Sequence, residues 1–277
     1  MTAIESTEIS SYSFTHTGKV RGDNQDAIWL CNPNDEYTSK VGHLYGIADG
    51  MGGYANGGLA SSLALETFFE TFYEANGADT IQKFRIGIQN ANLSVYQAAQ
   101  RLASGRMGTT ITTINIIGNN LYIGHVGDSR AYLIRDNKST CLTNDHTQVG
   151  SLVRMKILAP EKVRTHAQRS VLEKCLGPSL FIQPDIFKIP VQNDDVIILS
   201  TDGVWSVIQD NEFAELTKTT NNPEKLGQEI VELAMERDSD DNLSIIVVYL
   251  HRLTHHVKII NNKKFWPLPN ILSRFRK

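Results

Sequence analysis

The sequence predicts an α+β fold in which two stacked, mainly antiparallel sheets carry helices on their outer faces. Three observations support this. Two adjacent segments have the apolar spacing of amphipathic helices, and strand-like runs joined by turn sequences lie around that helical pair. The two most apolar runs are short, β-branched and nearly continuous, as expected of strands covered on both faces.

The elements follow in chain order. Residues 57–76 (GGLASSLALETFFETFYEAN) put Ala60, Leu63 or Ala64, Phe68 and Phe72 on one helical face. Next, Ile81, Phe84, Ile88, Ala91, Val95, Ala98 and Leu102 advance by alternating three and four residues, which predicts a helix whose stripe packs on a core. Gly87 within it costs about 1 kcal/mol of helix propensity relative to alanine. Residues 111–117 and 121–125 flank Gly118, Asn119 and Asn120, a hairpin signal, and residues 131–135 run into a second turn at Asp136 and Asn137. Residues 145–190 are less regular and are expected to form a mobile insertion. Residues 196–199 and 243–250 are the two continuous apolar runs. From about residue 251 the composition changes, and Pro267 and Pro269 discourage regular structure.

A chain of 277 residues makes one large domain or two small ones, with ample length to bury a core. No apolar run reaches the roughly 18 residues of a membrane-spanning helix. The opening MTAIESTEIS is polar and acidic and does not read as a secretory signal. Cys31, Cys141 and Cys175 are far apart without a CxxC pair, so neither a disulfide framework nor a thiolate zinc site is expected, and a reducing, cytoplasmic setting fits. The net charge of −3 conceals an asymmetry: residues 251–277 hold seven basic side chains and no acidic ones, leaving about −10 on residues 1–250. A body this acidic excludes nucleic acid as a partner on electrostatic grounds and suits an enzyme that holds divalent cations.

The aspartates are the informative feature. HLYGIADGMGG runs an apolar strand into Asp49 and Gly50, and VIILSTDGVW does the same at Asp202 and Gly203. Asp241 precedes a buried strand, Asp128 lies in a turn between two strands, and Asp26 starts another. One carboxylate beside a core strand is as readily a cap or turn former as a ligand. Five at strand ends can share one sheet edge, where they repel one another unless a cation neutralises them. An oxygen-only donor set favours Mg²⁺ or Mn²⁺ over Zn²⁺. Gly50, Gly52 and Gly53 after Asp49 allow a sharp turn and close approach of a carbonyl. No GxxxxGK[ST] loop or strand-to-helix GxGxxG is present, and residues 238–242 lack the EF-hand glycine and closing glutamate.

The ordered set RGDNQD (21–26), DGMGG (49–53), GTT (108–110), GDSR (127–130), DHT (145–147), STDG (200–203) and DN (241–242) resembles the metal-dependent protein phosphatases of the type 2C (PPM) class, in particular their bacterial branch. The resemblance covers residues 12–250 and implies a four-layer α-β-β-α sandwich with outer helix pairs. It implies hydrolysis of phosphoserine and phosphothreonine esters on proteins by direct attack of a metal-bridging hydroxide, reversing a Ser/Thr kinase. By this resemblance Asp49 bridges two Mn²⁺ or Mg²⁺ ions, Asp202 and Asp241 hold the first, and Asp26 and the Gly50 carbonyl serve the second. Asp128 with Asp202 holds a third, weaker ion. Arg21 matches the arginine that grips the substrate phosphate. Ser129 and Thr201 match scaffold positions, and residues 145–190 match a substrate flap on which His166 and Arg169 are candidate contacts and His146 a structural residue. The family often places histidine directly after the double glycine. Tyr54 stands there in this chain, which leaves leaving-group protonation to water or another residue.

The organisation expected is thus a phosphatase domain over 1–250 and a basic, aromatic-containing tail over 251–277, in a monomer. The tail reads either as a solvated extension or as a segment that meets an anionic membrane surface or a protein partner. Two other readings stand beside the enzyme: a pseudophosphatase acting as a regulatory binding module, and a structural calcium-binding domain.

Overall fold

The computed structural model describes residues 7–32, 36–51, 56–102 and 107–253. Among them, ten strands pair into two five-stranded antiparallel sheets. The first sheet has the order β1 (Glu8–His16), β10 (Leu243–Arg252), β9 (Val196–Ser200), β6 (Arg130–Arg135) and β7 (Lys138–Cys141). The second has the order β2 (Asp26–Leu30), β3 (His43–Asp49), β4 (Ile111–Ile117), β5 (Asn120–Val126) and β8 (Asp185–Pro190). The helices are α1 (Glu36–Val41), α2 (Gly57–Glu74), α3 (Thr80–Arg101), α4 (Gln148–Arg154), α5 (Asp202–Trp205), α6 (Asp210–Thr217) and α7 (Pro223–Glu236).

Three apolar clusters make four layers. Between the sheets, Tyr45, Ile47, Ile114 and Ile123 meet Ile197, Leu199, Ile246 and Val248. Outside the second sheet, Phe68, Phe69, Phe72, Phe84 and Ile88 of α2 and α3 cover Leu44, Ala48 and Ile111. Outside the first, Phe213, Leu226, Ile230 and Val231 of α6 and α7 cover Tyr132, Ile198 and Val247. The period-2 geometry of a strand explains the continuous apolar run in β9: Val196 and Ile198 face the helices while Ile197 and Leu199 face the other sheet. The expected α-β-β-α sandwich is therefore the observed one. Gly87 has a packing reason, because a Cβ there would stand 2.8 Å from the Phe68 ring where α2 and α3 cross.

Two boundaries differ from expectation. Residues 185–190 are not part of an irregular insertion but form β8, the edge strand paired with β5. Ile186 and Ile189 pack on opposite clusters, giving this short run the alternation of a sheet strand. The body also runs past 250. β10 continues to Arg252 opposite Glu8, His251 Nε2 meets Ser10 Oγ at 2.7 Å, and Leu253 is buried. Gly52, Gly53, Tyr54 and the tail from 254 onward lie outside the described residues. The three cysteines are free thiols, and no described helix is long and apolar enough to cross a membrane.

Candidate metal centre

Strand pairing brings the acidic strand ends together. Asp26 opens β2 and Asp49 closes β3, directly opposite each other in antiparallel register. In the other sheet, Asp202 follows the end of β9 and Asp241 precedes the start of β10, the neighbouring antiparallel strand, so both lie at one end of that pair. Asp128 occupies the turn by which the chain passes from β5 in one sheet to β6 in the other.

Each of these ends is held by specific bonds. Thr110 Oγ1 accepts from the Asp49 amide at 2.9 Å, and Thr109 Oγ1 donates to the Asp49 carbonyl at 2.8 Å. Thr201 Oγ1 donates to Asp26 Oδ2 at 2.9 Å, a scaffold role rather than a nucleophile's. Asn242 clasps the loop before β2, accepting from the Gln25 amide at 2.8 Å and donating to the carbonyls of Thr17 and Asp23 at 2.8 and 3.0 Å. Gly203 lets the two Asp-bearing turns of the first sheet meet: a Cβ there would stand 2.0 Å from the Asn242 carbonyl oxygen.

The carboxylates share one electrostatic basin. Burial, then repulsion from Asp26, Asp202, Asp128 and Asp241, pushes the Asp49 carboxyl well above its ordinary value. Burial chiefly, opposed by the hydroxyls of Ser244 and Thr201 and reinforced by repulsion from Asp202 and Asp241, holds Asp26 at about 7. Asp202 is raised to about 6 by burial and then by Asp241. Burial and then Asp202 and Asp145 push Asp128 well up.

Arg21 stands at the rim, its side chain 45% exposed, with Nη2 2.7 Å from Asp241 Oδ2 and Nε donating to the Asp240 carbonyl. Asp240 itself is exposed. Of the flap candidates, Arg169 lies close enough for its charge to favour ionised Asp202. His166 instead spends Nδ1 on the Gln168 amide inside the flap. His146 is buried and accepts from the Gly127 amide through Nδ1, bracing the turn that carries Asp128.

Among the described residues, no three His, Cys, Asp or Glu side chains are arranged so as to hold an ion as they stand. The donor chemistry nevertheless fits hard cations. Oδ1 of Asp26 and Oδ1 of Asp202 are buried without a hydrogen-bond partner, in the midst of like charges, and a buried acceptor of that kind is costly unless a cation or donor meets it. Oxygen ligands from several strands are what Mg²⁺ and Mn²⁺ take.

The model of the family "Protein phosphatase 2C" matches residues 10–150 and 177–243. The chain belongs to the protein phosphatase 2C family. The unmatched stretch between those two segments, residues 151–176, lies within the region for which a flap is expected. Among phosphatase 2C relatives, protein phosphatase PhpP of Streptococcus pneumoniae is 28% identical over 242 residues, covering 86% of this chain and 96% of that protein. The crystal structure of serine/threonine phosphatase Stp1 from Staphylococcus aureus superposes with a TM-score of 0.81 at 30% identity, covering 89% of this chain and 96% of that one. The catalytic domain of the serine threonine protein phosphatase PstP, solved in complex with two manganese ions, gives a TM-score of 0.75 at 26% identity over 88% of this chain and 99% of that one.

Several residues of this phosphatase 2C site escape a reading from sequence. Arg130 is 6% exposed and forks onto Asp145 at 2.9 and 2.7 Å, while its guanidinium carbon lies 3.6 Å from the centre of the Trp205 ring. The GDSR and DHT motifs contain this pair, but nothing in their spacing says that they meet. Trp205 has no local signal beyond its place in an apolar run.

Proposed function

We propose that this chain is a metal-dependent protein serine/threonine phosphatase that hydrolyses phosphoserine and phosphothreonine esters on proteins. The observation that carries the proposal is the convergence of five carboxylates from five strand ends, two of them with buried oxygens that have no partner. Asp49, which feels the charge of Asp26 beside it and of Asp202 and Asp241 at the ends of the other sheet, would be shared by two divalent ions. Asp202 and Asp241 would complete the site of one, and Asp26 with the Gly50 carbonyl that of the other, while Asp128 with Asp202 would hold a third ion more weakly. Mn²⁺ and Mg²⁺ both suit these ligands. When bound, such ions activate water as a nucleophile and offset charge on the phosphoryl oxygens.

The chain's own groups supply binding and orientation. Arg21 stands at the exposed rim with Nε and Nη2 engaged by Asp240 and Asp241; released from Asp241, its planar fork would match two phosphate oxygens in a way that a lysine would not reproduce. Thr201 keeps one Asp26 oxygen engaged so that the other is directed. The Thr109 and Thr110 bonds fix the Asp49 backbone. The positive charge that Arg169 adds on the side of Asp202 supports a role for it in meeting a phosphoprotein. Partners that fit this reading are phosphorylated proteins and the Ser/Thr kinase that modifies them.

The test is hydrolysis of a phosphothreonine peptide with and without Mn²⁺, for wild type and Asp202→Ala. Mn²⁺-dependent turnover lost in the variant is the expected result. A wild type that binds Mn²⁺ yet releases no phosphate would favour the binding-module reading instead.

A further inference from the structure

Trp205 ends α5, three residues after Asp202, and is 1% exposed. Its indole Nε1–H donates to the main-chain carbonyl of Asp128 at 2.9 Å. Its own carbonyl accepts from Arg164 Nε of the flap at 2.9 Å, and the same guanidinium reaches Ile208 and Asp210. Its ring is stacked beneath Arg130, which is itself locked onto Asp145. The short helix between Asp202 and Trp205 is held by the bond from the Ser206 amide to the Asp202 carbonyl at 2.9 Å. One rigid side chain thus joins the backbone of Asp128 to a helix whose first residue is Asp202.

We propose that Trp205 is a positioning residue that sets the separation of the Asp128 and Asp202 carboxylates, and through it the affinity for a cation held between them. The inference rests on the phosphatase reading above, in particular on the weaker third ion. A tryptophan that only fills core volume needs its ring. This one also aims its single donor at the backbone of an acidic residue from the other side of the site. Asp128 is 4% exposed, so without the indole its carbonyl loses a buried bond and its turn can relax. Partners of this kind, which touch the ligand rather than the ion, tune affinity by fixing ligand geometry.

Two measurements on the full chain test this. In the ¹⁵N-labelled protein, stripped with EDTA and titrated with MgCl₂, the indole N–H signal of Trp205 is identified by elimination with Trp29→Phe and Trp266→Phe. It should shift in the last, weakest binding step, while the Trp29 signal, from a ring stacked on Phe69, should not follow it. The second measurement is Mn²⁺ calorimetry on Trp205→Phe, which keeps an aromatic face under Arg130 but has no donor. Affinity for the weakest ion should fall about tenfold or more, with the two tighter ions within about twofold of wild type. An indole signal unmoved through the last step, or a variant in which the weakest ion is unaffected or all ions weaken equally, would overturn the proposal. A wild type that binds two ions and no third overturns this inference alone. A wild type that binds none overturns the phosphatase reading and this inference with it.

Discussion

Replacing Asp26 by asparagine should make the metal-free protein more stable while removing part of the ligand set. The fold holds this carboxyl at about 7, against an ordinary 3.8, chiefly by burial. A carboxyl raised in the folded state contributes stability that is complete below its unfolded value and is lost as pH rises through the folded one. At pH 8 in EDTA the wild type therefore carries the whole penalty, and the gap from 3.8 to about 7 corresponds to about 4 kcal/mol at most. Asparagine removes the buried charge but is itself a polar amide that must be desolvated at the same place, so a gain of about 1–2 kcal/mol is expected, or roughly 3–6 °C in Tm for a domain of this size. Its amide can keep an oxygen on Thr201 and turn its N–H groups toward Asp49, the residue opposite. Thermal unfolding in EDTA at pH 8 and pH 5 reads the effect, which should shrink at pH 5, where the wild-type carboxyl is already protonated. Saturating Mn²⁺ at pH 8 should reverse the order. A variant with native circular dichroism that melts at or below the wild type in EDTA at pH 8 would refute the reasoning.

Asp145→Asn removes the forked carboxylate from the buried Arg130 and leaves its charge only the half-exposed Asp210, 3.7 Å away. Urea unfolding should show a loss of about 3 kcal/mol, the low end for a broken buried pair because Asp210 remains. Gly203→Ala forces a methyl to within 2.0 Å of the Asn242 carbonyl oxygen, so the two Asp-bearing turns must separate. A stability loss of about 1–3 kcal/mol should accompany weaker Mn²⁺ binding by calorimetry. His125 is buried and held near 4, first by burial and then by the neighbouring His146. Its contribution is complete above its ordinary value of 6.5 and is lost as pH falls through 4, so His125→Gln should flatten the urea midpoint against pH between those limits.

Much of the fold is legible along the chain because its elements advertise themselves locally. The apolar steps from Ile81 to Leu102 give α3 almost to the residue, and Asp79 caps it through the Gln82 amide. The hairpin at Gly118–Asn120, left-handed at Gly118, and the turn at Asp136 and Asn137, left-handed at both residues, are specified by their own residues. α7 begins with Asn222 as its cap and Pro223 in its first turn, local signals that none of the expectations above used. β8 is different: it is an edge strand, and its identity depends on pairing with β5 sixty residues earlier in the chain, so the sequence around it reads as part of an insertion.

By itself the sequence determined which side chains are acidic, that each sits at a strand end, and that apolar runs in β9 and β10 must be covered on both faces. Hydrophobic period and turn chemistry act over a few residues, and those properties are local. Only the tertiary structure decided that Asp26 lies opposite Asp49, that Arg21 leans on Asp241 rather than standing free, and that Arg130, Asp145 and Trp205 lock behind Asp128. These are contacts between residues far apart in the chain, fixed by sheet register and by the stacking of two sheets, and no local spacing encodes a register.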